Sequence, residues 1–248
     1  MAIHSDSYDD APEAYPDERP RRRSPLFKWM ALGFFALTVV LPVVLILIFR
    51  VVPPPTTTVM MGTALMDGPV AQRWVPLDAI SRNLVRAVIA SEDGKFCSHY
   101  GFDLEAINEA LERNAAGRPL RGASTISQQT AKNLFLTLDR TWFRKGLEAY
   151  LTVLIEALWP KRRIMETYLN IVEFGPRRFG AEAAAQGNFG KPASALSAFE
   201  AARLATVLPN PRAYRADQPG PYVARQSEVV LGRMGEVSRD QLDSCVFR

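Results

Sequence analysis

The chain has 248 residues, 48% of them hydrophobic, and its 30 lysines and arginines outnumber its 26 aspartates and glutamates. One of its two histidines, His4, lies in the N-terminal tail, so His99 and the two cysteines are too few ligands for a structural zinc site. The net charge of +4 suits an anionic membrane surface or a phosphate-bearing substrate.

Residues 26–50 predict a membrane anchor. They carry no charge between Lys28 and Arg50, and an apolar helix of this length can cross a bilayer core of about 30 Å. Arginines crowd the residues before this run, whereas the residues after Arg50 read VVPPPTTT. The positive-inside rule therefore places residues 1–25 in the cytoplasm and exports the chain beyond the anchor, so nucleic acid is not an expected partner. A cleaved signal peptide is the alternative, but its apolar core would span only about 7–15 residues.

The sequence predicts four segments: a disordered cytoplasmic tail (1–25), a transmembrane signal-anchor helix (26–50), a membrane-proximal stalk (51–72) and one exported domain (73–248). The tail lacks apolar periodicity. The prolines at 53–55 and the threonines at 56–58 predict a stiff, polar stalk. Outside the membrane a disulfide between Cys97 and Cys245 is allowed, and two separate buried thiols are an equally acceptable reading.

Helical periodicity dominates from Asp78 onward, so we expect a nearly all-α domain. An apolar helix ends at residues 91–94, and Asp103 caps the helix after it. Capping boxes start two further helices, at Thr125 with Gln128 and at Ser197 with Glu200. Between them we expect a helix that ends at Trp159-Pro160 and another from 162 to 174, and Pro221 opens the last one.

The first polar cluster reads EDGKFCSHYG, at residues 92–101. Its two adjacent carboxylates, Glu92 and Asp93, stand where an apolar helix gives way to a glycine-containing loop. A helix C-terminus disfavours negative charge, so acids there cost stability. Taken alone, the pair is most simply a solvated helix end.

The second cluster spans residues 121–133 and places hydroxyls, amides and a cation at a helix N-terminus. These side chains are Ser124, Thr125, Gln128, Gln129, Lys132 and Asn133. Residues four apart lie side by side on a helix, which makes a donor-rich surface suited to sugar hydroxyls and anionic oxygens. Taken alone, a capped surface helix explains it equally well.

The third cluster is cationic around one acid. Arg140 is followed by Arg144 and Lys145, and Glu148 lies within one helical turn of the last two. As a bare pattern this is an ordinary intrahelical ion pair, worth a few tenths of a kcal/mol.

In this order and spacing, the clusters resemble the glycosyltransferase domain of peptidoglycan polymerases. That family comprises the monofunctional biosynthetic transglycosylases and the first domain of bifunctional penicillin-binding proteins. The resemblance rests on AVIASEDGKFCSHYGFD (87–103), RGASTISQQTAKNLFL (121–136), RKGLE (144–148), KRRIMETYLNIVEFG (161–175) and GNFGKPASALSAFEAARLATVLPNP (187–211). It covers residues 73–235, nearly all of the exported domain.

The resemblance implies a lysozyme-like, mostly α fold that polymerises lipid II, a disaccharide-peptide on a polyprenyl pyrophosphate. The growing chain is the donor, the 4-hydroxyl of the incoming sugar is the acceptor, and a β-1,4 bond forms with inversion. Such a single displacement needs one carboxylate to accept the hydroxyl proton. The leaving pyrophosphate needs its charge neutralised by cations or by a divalent ion, Mg²⁺ or Mn²⁺.

By resemblance the roles fall on named positions. Glu92 is the catalytic base, and Glu148 is the second acid, which orients the donor or helps a metal ion to bind the donor pyrophosphate. The expected substrate-binding residues are Ser124, Thr125, Gln128, Gln129, Lys132, Asn133, Arg140, Arg144 and Lys145, of which Lys132 and Arg140 match phosphate-contacting positions. The expected pocket-shaping residues are Asp93, Phe96, His99 and Gly101. Residues 160–163, PKRR, depart from the usual pattern, and we expect them to alter only a helix start.

The chain has no Ser-x-x-Lys or Lys-Thr-Gly motif, so we expect glycan polymerisation without transpeptidation. The expected location is the bacterial inner membrane, single-pass, with a cytoplasmic N-terminus and a periplasmic domain. The expected partners are lipid II, the nascent glycan, membrane lipid and other cell-wall synthesis proteins. Two alternatives stay open: a lysozyme-like lytic enzyme, which needs no cations around a pyrophosphate, and a membrane-anchored scaffold without activity.

Overall fold

The computed structural model describes residues 25–117, 124–137 and 141–247, which are mostly helical, as the sequence predicts. The described residues divide into two units between Leu41 and Pro42. The helices are α1 (Pro25–Phe35), α2 (Leu41–Phe49), α3 (Thr58–Asp67), α4 (Arg82–Glu92), α5 (Leu104–Ala115), α6 (Ile126–Phe135), α7 (Trp142–Leu158), α8 (Lys161–Ile171), α9 (Ala181–Phe189), α10 (Ala198–Val207), α11 (Pro221–Arg239) and α12 (Ser244–Phe247). A π-helical turn spans Ala36–Val40, and 3₁₀ turns span Leu77–Ala79 and Ala193–Ala195. The strands are β1 (Ala71–Gln72), β2 (Glu173–Gly175) and β3 (Arg178–Phe179).

One helical stretch, Lys28–Phe49, is long and apolar enough to cross a membrane, as the sequence predicts. Only 6% of its most apolar window is buried inside the protein. A core helix of a soluble domain would be mostly buried, so this exposure favours a membrane anchor.

The core of the larger unit is built from two helix clusters. In the first, α4, α10 and α11 pack on one another, and α4 buries Leu84, Val88 and Ile89. In the second, α6 packs against α7 and α8. The capping boxes predicted at the starts of α6 and α10 are both present, so each helix begins where the sequence says it should.

A three-stranded sheet in the order β1-β3-β2 corrects one prediction. The helix expected to run to Phe174 ends at Ile171, and the residues after it form β2, which pairs antiparallel with β3. Gly180, which follows β3, lies against the end of α8. It has a φ of 83°, and a Cβ at this position would lie 2.7 Å from the Asn170 carbonyl oxygen. Tertiary pairing therefore overrides the helical pattern at this point.

The segment after the prolines packs against the rest of the domain. Thr57 caps α3 by accepting a hydrogen bond from the Met60 backbone N–H, at 3.2 Å. The Thr58 hydroxyl donates to the Leu136 carbonyl at the end of α6, at 2.7 Å. Val59 and Met60 are buried, whereas Leu65 on the opposite face is exposed.

Arg163 has a larger role than the expected change at a helix start. Its guanidinium donates to the Phe49 carbonyl, at 2.9 and 2.7 Å, and to the Val52 carbonyl, at 3.0 Å. The Trp159 indole N–H donates to the Ile46 carbonyl, at 2.7 Å. Arg163 thus satisfies the Phe49 carbonyl at the end of α2 and the Val52 carbonyl just after it. Trp159 adds a second donor to the Ile46 carbonyl, which also accepts from the Arg50 backbone N–H at 2.9 Å. These hydrogen bonds fix that end of α2 to α8.

Cys97 and Cys245 form a disulfide, one of the two readings that the sequence left open. The bridge links the loop after α4 to α12, 148 residues further along the chain. An ion pair between Arg86 and Asp243, at 2.7 Å, supports the same attachment. The C-terminal segment therefore braces the loop that carries the first polar cluster.

Candidate active site

Glu92, at the last position of α4, is held by a short chain of hydrogen bonds. The Gln129 side-chain N–H donates to Glu92 Oε2 at 2.8 Å, and the Tyr168 hydroxyl donates to Gln129 Oε1 at 3.2 Å. Because the amide oxygen of Gln129 already accepts from Tyr168, its NH₂ group is turned towards Glu92. Burial raises the pKa of the fully enclosed Tyr168 well above 10.0, so this hydroxyl keeps its proton and acts as a donor.

The surroundings of Glu92 make it a stronger proton acceptor than an ordinary glutamate. Burial raises its pKa above the ordinary 4.5, and the charge of Asp93 adds to the rise. The hydrogen bond from Gln129 and the charge of Lys132 oppose it without cancelling it. A carboxylate with a raised pKa is a stronger base than an ordinary surface glutamate.

Asp93 holds the loop after α4 against the start of α6. Its carboxylate accepts hydrogen bonds from the Ile126 backbone N–H, at 2.9 Å, and from His99 Nε2, at 2.9 and 3.0 Å. His99 Nδ1 accepts from the Gly101 backbone N–H at 3.1 Å, so the ring proton lies on Nε2 and points to Asp93. Gly101 has a φ of 91°, and a Cβ there would lie 2.8 Å from the Thr152 side chain. Asp93, His99 and Gly101 are thus joined by hydrogen bonds in the loop next to Glu92.

A cavity of about 480 Å³, which we call the cationic cavity, lies on one side of this centre. Gln129, Lys132 and Asn133 of α6 line it together with Arg144 of α7 and Arg212. Desolvation lowers the pKa of Lys132 below the ordinary 10.5, the charges of Arg144 and Lys145 lower it further, and Glu148 raises it. Arg144 Nε is buried and makes no hydrogen bond within the described residues. The cavity therefore offers unsatisfied positive donors to an anion.

Glu148 is enclosed by the cations that precede it on α7. Only 3% of its side chain is exposed, one oxygen accepts from Arg144 Nη1 at 2.7 Å, and the other accepts from Lys145. The intrahelical ion pairs expected from the sequence are present. Because they are buried, the acid offsets part of the repulsion among Lys132, Arg144 and Lys145.

A smaller cavity of about 250 Å³, the second cavity, opens on the other side of Glu92. Glu92 and Asp103 line it with Ser124, Thr125 and Arg233. Hydroxyls beside a carboxylate suit the hydroxyl groups of a sugar. Glu92 therefore faces this cavity directly and is joined to the cationic cavity through Gln129.

Most of the expected site residues in the described part of the chain come together around these two cavities. Gln128 differs: its side-chain oxygen accepts from the Thr125 backbone N–H at 3.0 Å, so it closes a capping box and is buried. Phe96 is buried beneath the Lys161 ammonium, which lies 4.6 Å from its ring centre. Arg140 lies outside the described residues.

Sequence reasoning missed Tyr168, Arg212 and Arg233. Tyr168 lies on the buried face of α8, and a buried tyrosine hydroxyl usually finds a partner, which is the one signal that could have singled it out. Arg212 and Arg233 come from segments with no local pattern that points to the site. Only the fold brings them there.

The described residues do not fit a resident divalent metal ion. They contain no group of three or more histidines, cysteines, aspartates or glutamates that could hold one. Glu148, the expected ligand, already has a cation at each oxygen. Hard divalent cations take six or more oxygen ligands, and the side chains around Glu148 are mainly nitrogen donors.

The fold and the site together place a buried carboxylate beside a cationic cavity, an arrangement suited to a group-transfer enzyme. A family model described as Transglycosylase matches residues 60–235. Relatives named biosynthetic peptidoglycan transglycosylase include one from Rhodospirillum centenum, 57% identical over 178 residues that cover 72% of this chain and 77% of the relative. Another, from Caulobacter vibrioides, is 48% identical over 221 residues, 89% of this chain and 96% of the relative. The chain therefore belongs to the transglycosylase family, which confirms the resemblance seen in the sequence.

Proposed function

We propose that this chain is a peptidoglycan glycosyltransferase that polymerises lipid II into β-1,4-linked glycan strands. One observation carries the proposal: Glu92, a carboxylate with a raised pKa, lies between the second cavity and the cationic cavity. The donor pyrophosphate would bind at Lys132 and Arg144, and the acceptor sugar would bind beside Ser124. The names of the relatives support the same activity.

In this mechanism Glu92 takes the proton of the acceptor 4-hydroxyl as its oxygen attacks the anomeric carbon of the donor. The bond between that carbon and the pyrophosphate breaks, and the lipid pyrophosphate leaves with the bonding electrons. Attack opposite to the leaving group inverts the configuration from α to β. Lys132 and Arg144 stabilise the charge that develops on the leaving oxygen.

The expected divalent ion stays a prediction. The protein supplies cations to the leaving group from its own side chains, so an Mg²⁺ or Mn²⁺ ion near Glu148 would have to take most of its ligands from the pyrophosphate. We propose an accessory role for such an ion. Activity that persists in a chelator, at a level above one tenth of that with Mg²⁺, would agree with this role.

We also propose the expected topology, with residues 1–25 in the cytoplasm, the domain in the periplasm and the span in the inner membrane. The asymmetry of arginines around the anchor supports it. Alkaline phosphatase fused after Arg248 should be active, and the same enzyme fused before the anchor should be inactive. The reverse pattern would contradict the proposed orientation.

Purified full-length protein in detergent with labelled lipid II tests the activity. We expect a ladder of glycan polymers with β linkages and without cross-linked peptides. Fragments with reducing or anhydro ends, released from preformed glycan, would instead identify the lytic enzyme. If a folded protein gives neither product, the chain would instead be a membrane-anchored scaffold without activity.

A further inference from the structure

The loop that follows α4, residues 93–101, which we call the Glu92 loop, is attached to the rest of the domain at several points. Asp93 at its start accepts a hydrogen bond from the Ile126 backbone N–H of α6, at 2.9 Å. Phe96 in its middle is fully buried. Because Asp93 adjoins Glu92 in the chain, any movement of this loop changes the surroundings of the proposed base.

The disulfide between Cys97 and Cys245 is a further attachment of the Glu92 loop, and it is covalent. It joins the middle of the loop to α12, and the Cys245 backbone N–H also donates to Cys97 Sγ at 3.3 Å. The two cysteines are 148 positions apart. A cross-link over so long a segment removes much of the conformational freedom that the loop and the distant segment would otherwise have.

The far side of the bridge is the segment 243–247, which we call the brace segment, and two helices hold it. Asp243 pairs with Arg86 of α4 at 2.7 Å. Val246 is fully buried, and its carbonyl accepts from Arg162 Nη1 of α8 at 3.0 Å. A helix as short as α12 is not stable by itself, so these contacts fix its position. The disulfide then transmits this fixed position to the Glu92 loop.

The bridge is open to thiol chemistry, because both cysteines are only half-buried. A thiolate of a small dithiol attacks one sulfur of the bridge and forms a mixed disulfide, and the other cysteine leaves as a thiolate. The second thiolate of the dithiol then breaks the mixed disulfide. Two electrons pass to the cysteines, which take up protons and end as thiols, and the dithiol ends as a disulfide.

We propose that the bridge between Cys97 and Cys245 positions the Glu92 loop, so that glycan polymerisation is fast when the bridge is closed and slow when a dithiol opens it. This inference rests on the proposed function and deepens it by naming a regulation of the same site. Opening the bridge leaves the contacts of Asp93 and Phe96 in place, so the loop should loosen without unfolding. A small misplacement of a reacting group lowers the rate, and we expect a fall of about fivefold.

Loosening the loop should also lower the pKa of Glu92. Burial and the charge of Asp93 raise this pKa, and Asp93 and Gly94 of the loop line the second cavity beside Glu92. Gln129 and Lys132, which lower the pKa, lie on α6, and the bridge does not touch the packing of α6 against α7 and α8. The other titratable groups near Glu92 are Tyr168 of α8 and, around the second cavity, Asp103 and Arg233. The acid limb of kcat/KM should therefore move to lower pH when the bridge opens.

Reduction of the folded, full-length protein tests the proposal without a folding step. Polymerisation of labelled lipid II would be measured before and after treatment with dithiothreitol, and alkylation with mass spectrometry would count the thiols. The chain has only two cysteines, so two alkylated thiols mean an open bridge. We expect the rate to fall by about fivefold, the acid limb to move to lower pH, and reoxidation to restore both. Cys245→Ser should have the lower rate from the start and should not respond to dithiothreitol.

Ser244→Ala, beside Cys245 on α12, is the matched control and should keep the wild-type rate and the wild-type response to dithiothreitol. Two free thiols in active protein taken directly from membranes would overturn the proposal. An unchanged rate after both cysteines have been alkylated would also overturn it. A lower rate with an acid limb that stays in place would mean that the bridge only stabilises the fold, and the positioning role would fail. Protein that makes no polymer in either state would instead contradict the proposed function.

Discussion

Glu92 and Glu148 are two carboxylates whose charges both raise the pKa of Lys132, but the two acids have different surroundings. Glu92 has one neutral amide donor, from Gln129, and burial raises its pKa. Glu148 is more deeply enclosed and has a cation at each oxygen. A buried carboxylate with few positive partners is a better proton acceptor than an ordinary one, whereas a carboxylate between two cations holds those cations in place.

The two acids also differ in which parts of the chain supply their hydrogen-bond partners. Glu92 depends on three separate helices, because its partner Gln129 lies on α6 and Tyr168 lies on α8. Glu148 finds both of its partners within one turn of its own helix, α7. The position of Glu92 therefore depends on tertiary packing, while the position of Glu148 depends mainly on local sequence.

The largest expected effect comes from Glu92→Gln. An amide cannot accept the acceptor proton, and loss of a general base typically costs about 10²–10⁴-fold, so we expect polymerisation of lipid II to fall by roughly 10³-fold. The same assay on Glu109→Gln, an exposed acid on α5, provides the control and should give wild-type rates. A folded Glu92→Gln protein that keeps a tenth of the activity would remove Glu92 from the role of base.

Lys132→Ala should follow, with a loss of roughly 10²-fold in kcat, because one of the donors that stabilises the leaving pyrophosphate is removed. Glu148→Asp keeps the negative charge between Arg144 and Lys145, so it should lose much less. Single-turnover kinetics with lipid-linked donor separate the chemical step from binding. Equal losses of activity in the two variants would contradict the different roles given to Lys132 and Glu148.

The sequence predicted the local parts of this site well. Both capping boxes, the end of α4 at Glu92 and the ion pairs of Glu148 depend on residues within four positions of one another, so they could be read from spacing. The resemblance then assigned roles that no local pattern could give. Gln128 shows a limit of reading local patterns. Its amide could bind a sugar, but in the structure it completes the capping box of α6.

The parts that the sequence missed are long-range. Tyr168 meets Gln129 across 39 positions, and Arg212 meets Asp67 across 145. The β2–β3 hairpin replaced the end of a predicted helix because strand pairing, which spacing alone does not reveal, competes with helical periodicity. Contacts of this kind become visible only when the helices are packed.

Glu148→Gln should cost about tenfold at neutral pH, less than Lys132→Ala, because the cations remain but lose their common partner. The Glu148 charge raises the pKa of Lys132, so its removal lowers that pKa. Lys132 then loses its proton at a lower pH, and the alkaline limb of kcat/KM moves downward. A pH–rate profile of wild type and variant measures the shift. An alkaline limb that stays in place would mean that Glu148 does not act through Lys132.

The smallest expected effect, a few-fold loss, belongs to Tyr168→Phe, which removes the hydroxyl that orients the Gln129 amide. The amide can then rotate, and Glu92 loses a hydrogen bond that favours its charged form. The pKa of Glu92 therefore rises further above 4.5, and the acid limb of kcat/KM moves to higher pH. Tyr150→Phe on α7 removes the same atom from a side chain outside this hydrogen-bond chain and should leave the limb unchanged. If both variants lower the rate equally without moving the acid limb, Tyr168 contributes only to packing, and the difference between the two acids rests on burial alone.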